Sequence, residues 1–380
     1  MKKIVSILLL LSFCLFLVPA SAAGPECKAK AVLLMEKTTG EVLYEENAHT
    51  PLEPASVTKV MTMLLIMEAL DSGQITADDR VPVSAAAAGM GGSQVYMKEG
   101  EQFSVHEMLK AIAVASGNDA AVAMAEFLSG SESAFVEKMN ARAAELGMAD
   151  TCFMNCTGLP VEGHHTSAYD IALMSRELIL NHPDIRAYTT IWMDSLRDGA
   201  FQLVNTNKLI RFFDGATGLK TGSTDGALYC MSATAEKEGM ELIAVVLGSP
   251  TSADRFEAAK ALLTYGFAAY ALVPVAPSEP IPTVPVELGT CPEVQPVLTE
   301  ETQVLLPKED AGKLTTSLDL PDVLAAPVEE GQELGSLTVY VDGEESCTLP
   351  LVAEQAVPRL SFLQVYRNLL YSLFCPCNTH

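Results

Sequence analysis

The chain has 380 residues, 49% of them hydrophobic, and carries 24 lysines and arginines against 48 acidic residues, a formal charge of −24. This length asks for two domains with terminal extensions, and the composition is that of a soluble globular protein, not of a disordered chain. So acidic a chain does not hold phosphate backbones by releasing counterions, which excludes nucleic acid as a partner.

Residues 1–22 stand apart from the fold. Lys2 and Lys3 precede the apolar run IVSILLLLSFCLFLV, and PASA then supplies small residues at a cleavage position. That layout is a secretory signal peptide cut after Ala22, so the protein is expected outside the cytoplasm. The competing readings are a retained membrane anchor and a lipoprotein through Cys14, the second opposed by bulky Phe13. Cleavage leaves 22 basic and 48 acidic residues, a charge of −26, and eight of the nine cysteines. Their spacings do not form a dense small-domain framework. Cys291 and Cys347 share one C-terminal stretch and are candidates to pair, while Cys152 and Cys156 read as a local pair or two buried thiols. With His164 and His165 these last two make a zinc-like donor set, but no matching ligand pair recurs elsewhere, so no metal is expected.

After the leader, AKAVLLMEKTTGEVLYEEN reads as two strands around a TTGE turn. PLEPASVTKVMTML follows, a proline-rich turn running into an apolar helix from about Val57 to Leu70. SVHEMLKAIAVASGNDAAVAMAEFL is helical on both sides of a Ser-Gly-Asn interruption, and TSAYDIALMSRELILNH begins with a Ser/Thr cap and carries an apolar stripe at helical spacing. LYCMSATA and ELIAVVLG flank the turn EKEGM as a second hairpin, and TSADRFEAAKALLTYGFAAYAL is a last amphipathic helix. Strands at both ends with helices between predict one α/β domain over residues 23–272, closed by joining the two hairpins in one sheet.

The composition then shifts. VPVAPSEPIPTVPVE is a proline-rich linker, and residues 274–357 hold 16 acids against 2 lysines with alternating runs such as SLTVYVDGEE. An acidic all-β domain over 273–357 is predicted. In the tail, 358–380, RLSFLQVYRNLLYSLF places Phe362, Leu363, Tyr366, Leu369, Leu370, Leu373 and Phe374 on one helical face and Ser361, Gln364, Arg367 and Asn368 on the other. Such a helix is about 24 Å long, short for a bilayer span and suited to lying in a membrane interface. Packing on the protein itself or on another subunit is the other reading.

Three short motifs carry chemistry. Ser56 and Lys59 stand three residues apart, a spacing that chance also supplies, and on a helix such residues share a face. Ser56 is then a nucleophile and Lys59 its general base. Lys59 must be neutral for this, and bringing an ordinary lysine down to about 7 takes on the order of 4–5 kcal/mol. Desolvation or a second cation must supply that shift. Lys220, in GLKTGST at the start of a strand pattern, offers the cation. Lys220 and Thr221 are also able to hold a carboxylate, and Gly222 lets a substrate backbone approach the strand edge. At the helical interruption, Ser116 is placed to relay protons to a leaving group, and Asn118 to bond both Lys59 and a substrate amide. A plain helix–helix turn is the alternative there.

The order and setting of these motifs resemble the active-site serine penicillin-recognising proteins, and among them the low-molecular-mass D-alanyl-D-alanine carboxypeptidases of the peptidase S11 type. The similarity runs from about Lys28 to Leu272 and includes MEKTTGEVLYEENAHTPLEPASVTK, ASGNDAAVAMAE, TGLPVEGHHTSAYDIALMSREL, NTNKLI and GLKTGSTDGALYCMSATA. It implies a β-lactamase/transpeptidase-like α/β fold, and the acidic β domain and terminal amphipathic helix resemble the family's membrane-tethering arrangement. The implied reaction is attack of Ser56 on the penultimate D-alanine carbonyl of a peptidoglycan stem peptide, departure of the terminal D-alanine, and hydrolysis of the acyl-enzyme. Backbone N–H groups of Ser56 and Ser223 are implied as the oxyanion hole, and Arg255 as an aid to the substrate carboxylate, against the reading of a surface arginine near a helix start. The resemblance implies no metal or cofactor, β-lactam antibiotics as covalent inhibitors, and a place on the outer face of a bacterial cytoplasmic membrane. It gives His164 and His165 no catalytic role and places them in a loop beside the site, with Asp170 bracing that loop. Two alternatives stay in view: a class A β-lactamase, which has Ser-Asp-Asn where this chain has Ser-Gly-Asn and uses a loop glutamate not found here, and a non-catalytic wall-associated scaffold. Thr58 receives no role.

Overall fold

The computed structural model describes residues 24–277, 279–298 and 303–374. The leader and the terminal Cys-Pro-Cys lie outside the described residues. The chain divides into two units, one ending at Phe267 and one beginning at Ala268.

In the first unit, strands β1 (Ala31–Glu36) and β2 (Val42–Glu46) form the expected hairpin. Helix α1 (Lys59–Asp71) follows a single 3-10 turn, Ala55–Thr58. Helices α2 (Val105–Ala115) and α3 (Asn118–Ser129) flank the Ser-Gly interruption, and α4 (Ala168–Asn181) starts where Ser167 caps the Asp170 N–H. Strands β3 (Ala216–Thr224), β4 (Leu228–Lys237) and β5 (Met240–Ser249) precede helix α5 (Ser252–Ala269). The sheet runs β2-β1-β5-β4-β3 with every pairing antiparallel, so the two hairpins join through β1 and β5 as expected.

Strands β1 and β5 are buried along their whole length, the glutamates Glu36 and Glu241 included, which is why AVLLM and LIAVVLG are unbroken apolar runs. Period-two alternation sends their side chains to opposite faces. Leu33, Met35, Ile243 and Val245 join the main core with Ile171, Ala172 and Leu178 of α4. Leu34 and Leu242 face the other way, toward α5, where a Cβ on Gly266 would lie 2.5 Å from Leu242 Cδ1. With a helix on each face, β2 and β3 are the two edges of the sheet.

The second unit is all β apart from short turns and a terminal helix. Its largest sheet is antiparallel, in the order Pro296–Leu298, Glu344–Ala353, Glu333–Val341, Leu314–Asp319. Asp342 and Gly343 both take positive φ in the hairpin turn of VDGEE, the backbone that a two-residue turn between twisted strands requires. Leu337, Val339 and Leu351 are its buried core. Tyr270–Pro274, of which the sequence read residues 270–272 as the end of a helix and the last two as linker, is a strand paired with Gln303–Pro307; the helix stops at Ala269, and Val273 and Pro274 favour extended backbone. A helix spans Phe362–Phe374. Cys291 and Cys347 are both free: Cys291 lies in the turn between Val284–Glu287 and Glu293–Val294, and Cys347 on a strand of a different sheet opposite Val339. Cys152 and Cys156 are free as well.

Candidate active site

Ser56 lies on the 3-10 turn at the head of α1, and this turn packs against the β3 edge so closely that only glycine fits. A Cβ on Gly222 would lie 2.7 Å from Ser56 N and 2.9 Å from Val57 N. The sequence assigned Gly222 to substrate approach; its first effect is to admit the nucleophile turn. On the opposite side, a Cβ on Gly158 would come 1.8 Å from Ala55 O, and Gly158 has a φ of +81°.

Lys59 is wholly buried. Its Nζ lies 3.1 Å from Ser56 Oγ and donates to Asn118 Oδ1 at 2.6 Å and to the Thr157 carbonyl at 2.7 Å. Two fixed acceptors leave the third direction on the nitrogen to Ser56. Burial pushes Lys59 down to about 7, against the opposing charges of Cys156 and Asp119. Thr157 escaped the sequence reading, because a backbone carbonyl leaves no residue signature.

Ser116 ends α2 in the left-handed region, with φ 62° and ψ 28°. This aims a buried hydroxyl that makes no hydrogen bond within the described residues. Asn118 opens α3: its N–H donates to Ser93 O, its Nδ2 to Gly91 O, and its Oδ1 accepts from Lys59. Asp119, also missed, is buried beside it and accepts from the backbone N–H groups of Val95, Met97 and Ala120, tying the 91–97 loop to α3. Its signal was available, an acid in a first helical turn.

Lys220 stands in the middle of β3, not at its start, because the strand begins at Ala216. It is buried, and its Nζ donates to Thr221 O at 2.8 Å. Burial first, then the charges of Lys59 and Arg255, hold it well below the usual lysine range. The expected help from Lys220 in depressing Lys59 is thus carried instead by burial of Lys59 itself. Thr221 Oγ1 donates to Thr206 Oγ1, and the Thr206 N–H donates to Val114 O near the end of α2, so β3 and the Ser116 turn are linked through one residue. Ser223 is exposed on the same edge.

Arg255 is not a surface residue. Its Nη1 donates to the carbonyls of Gly222 at 3.1 Å and Cys230 at 3.3 Å, its Nη2 to Ser252 Oγ, and its guanidinium lies 4.6 Å from the Phe256 ring centroid. Burial lowers it to about 10. It braces the strand that carries Lys220 and Gly222. Asp170 accepts from Asp150 N and Thr151 Oγ1 at the foot of the 150–166 loop, the bracing role expected of it. His164 is buried against Thr58, and Cys156 Sγ donates to Glu132 Oε1, so two of the four members of the zinc-like set are engaged elsewhere.

Residues 18–251 match the family model described as D-alanyl-D-alanine carboxypeptidase, and residues 274–359 match the penicillin-binding protein 5 C-terminal domain. The chain is 43% identical to the D-alanyl-D-alanine carboxypeptidase DacF of Bacillus subtilis, over 96% of each chain, and 33% identical to DacC of Escherichia coli, over 91% of this chain and 88% of the relative. Among solved structures it resembles penicillin binding protein 5 of Haemophilus influenzae, with a TM-score of 0.77 and 29% identity over 88% of this chain and 99% of that one. It also resembles penicillin-binding protein D2 of Listeria monocytogenes in its ampicillin-bound form, with a TM-score of 0.59 and 33% identity over 63% of this chain and 98% of that one. The chain belongs to the D-alanyl-D-alanine carboxypeptidase family.

Proposed function

We propose that this protein removes the terminal D-alanine from peptidoglycan stem peptides through an acyl-enzyme on Ser56. The observation that carries the reading is the setting of Lys59, wholly buried, brought to about 7, and held by two acceptors with its remaining direction toward Ser56 Oγ. As a neutral amine it takes the Ser56 proton while Oγ bonds to the penultimate carbonyl carbon. The oxyanion is received by the backbone N–H groups of Ser56 and Ser223, donors that need no reorganisation as charge develops. Collapse breaks the C–N bond, and Ser116, whose hydroxyl has no partner within the described protein, passes a proton from Lys59 to the leaving amine. Lys220 and Thr221 receive the terminal carboxylate; Arg255 acts at one remove, by holding the Gly222 carbonyl. Water then hydrolyses the ester by the reverse proton path. A β-lactam would enter the same first step, a reading supported by the existence of an ampicillin-bound form of the Listeria monocytogenes protein.

Mass spectrometry of the intact protein after penicillin is expected to show one adduct, mapping to the Ser56 peptide, and S56A is expected to release no D-alanine from a pentapeptide. Unchanged release by S56A would leave the scaffold reading, and rapid turnover of penicillin would leave the β-lactamase reading.

We also propose export by the leader and residence on the outer face of the cytoplasmic membrane. The helix Phe362–Phe374 supports this with exposed Phe362, Leu363 and Tyr366, alongside Arg359 and Arg367. Among the described residues no helix is long and apolar enough to cross a membrane, which agrees with an interfacial position. Deleting residues 359–380 is expected to move the protein from the membrane to the soluble fraction; unchanged partitioning defeats the anchor.

A further inference from the structure

Thr58, between the nucleophile and the base, and His164, 106 positions later, are joined by a hydrogen bond of 2.8 Å. The direction of that bond follows from its neighbours. The Met154 N–H donates to His164 Nδ1 at 3.0 Å, so Nδ1 carries a lone pair and Nε2 carries the proton. Thr58 Oγ1 therefore accepts from Nε2–H, and its own hydrogen goes to the Ala55 carbonyl at 2.9 Å. Three bonds point one way, from the 152–166 loop to the carbonyl immediately before Ser56. A proton on Nδ1 would set donor against donor at Met154, and an imidazolium would do the same. Burial agrees, pushing His164 down to about 4 with a further push from His165.

The segment held in this way is strained. Ala55 has a φ of 48°, a left-handed backbone that a non-glycine residue keeps only when its surroundings over-determine it. The same loop also meets α1 through Thr157 O on Lys59 and Cys156 O on Thr62 Oγ1. Those contacts fix the helix after the nucleophile. Thr58 and His164 fix the residue before it, from the side opposite β3.

We propose that His164, as a neutral imidazole protonated on Nε2, is a positioning residue for the nucleophile: through Thr58 it fixes the Ala55 carbonyl and so the aim of Ser56 Oγ at Lys59 Nζ. It exchanges no proton with substrate, which separates it from the histidine base of a Ser-His pair. The inference rests on the Ser56 acyl-enzyme reading.

Stopped-flow acylation by penicillin, corrected to folded protein, separates the acylation rate constant from the preceding Kd. H164F, which keeps a planar ring and loses both nitrogens, is expected to slow acylation about tenfold or more with Kd changed by less than about twofold, because a misaimed nucleophile costs rate and not binding. T58V is expected to do the same, and the double variant to be no slower than either single one, since both cut a single chain of bonds. H164Q returns a donor near the Nε2 position and is expected to recover most of the rate. Nitrogen-detected NMR of the full chain at neutral pH is expected to find the His164 proton on Nε2. Acylation by H164F within about twofold of the parent, or H164F and T58V effects that multiply, overturns the proposal. So does a proton on Nδ1. Should H164F not fold, T58V and the tautomer decide alone. A parent that forms no adduct on Ser56 defeats the acyl-enzyme reading instead, and the two failures are distinct.

Discussion

In the first unit the interior holds lysine, arginine, aspartate, asparagine and histidine beside the aliphatic core; in the second, every buried described side chain is apolar. Residues 274–357 hold 16 acids against 2 lysines, and the described acids among them stay solvated on the surface of the second unit. Each is the cheap solution to a different task. Burying a polar group without a partner costs about 1–3 kcal/mol, and burying a charge costs more, so a domain that only has to fold avoids both. The first unit accepts them where Ser56 needs a neutral amine and fixed dipoles, and there Lys59, Asn118, Asp119 and Arg255 are each tied to named partners. Substitutions should therefore separate activity from stability differently in the two units.

The largest effect on rate is expected at Lys59. K59M keeps the stem and removes the base, and acylation by penicillin should fall by about 10²–10⁴-fold, the usual worth of a general base. A loss of less than about tenfold would mean that the proton goes elsewhere. The pH dependence has a worked sign. Lys59 must be neutral, so the parent's acylation rate should be level above about 7 and fall about tenfold per unit below it. For stability, the folded value lies below the unfolded one, so between about 7 and 10.5 the unfolded chain binds the extra proton. Unfolding free energy should rise through that window by about 1.4 kcal/mol per pH unit on this account, and K59M should lose that slope. The burial that makes the base therefore acts against the fold at neutral pH.

Gly222 comes next. G222A places a Cβ 2.7 Å from Ser56 N, and the turn must move. A displacement near 1 Å at a nucleophile costs about 10²-fold in rate. Acylation kinetics on folded G222A should show such a loss with the melting temperature little changed. The reverse pattern would mean that the turn has room to yield. D119A should combine both effects. It strips the partner from three buried N–H groups, at about 1–3 kcal/mol each, and releases the 91–97 loop that holds Asn118 through Gly91 and Ser93. Thermal melts and acylation rates measured together should both fall.

Much of this was legible in the sequence, and the limits have physical causes. Ser56, Lys59, Ser116, Asn118 and Lys220 could be found because side-chain chemistry leaves its mark in residue type and spacing, and the TTGE and EKEGM turns between apolar segments marked the hairpins that hold β1 and β5. Thr157 O could not be found, since a carbonyl has no residue signature. The bond between Thr58 and His164 spans 106 positions and involves a threonine that any helix start tolerates. Arg255 read as an aid to the substrate carboxylate or as a surface arginine, because a polar pattern near a helix start does not reveal that its guanidinium is buried on the Gly222 and Cys230 carbonyls. Residues 270–272 read as helix because their apolar spacing continued that of α5, and strand pairing of Tyr270–Pro274 with Gln303–Pro307 won.

The smallest effect on rate is expected in the second unit. Leu337 is wholly buried between strands Leu314–Asp319 and Glu344–Ala353, in a core made only of apolar neighbours. L337A removes buried methyl groups and leaves a cavity, which should cost that unit about 2–5 kcal/mol, read as an earlier melting transition or earlier proteolysis within residues 268–374. The titratable side chain packed against that core is the Cys347 thiol, which burial pushes up, so the loss should be independent of pH while that thiol stays protonated, through the lower part of the window in which Lys59 bends the parent's stability curve. Acylation per folded molecule should stay within about twofold of the parent, because no residue of the Ser56 site belongs to that unit. A drop comparable to that of G222A would show that the acidic β unit sets the geometry of the nucleophile, and that its apolar interior serves more than its own folding.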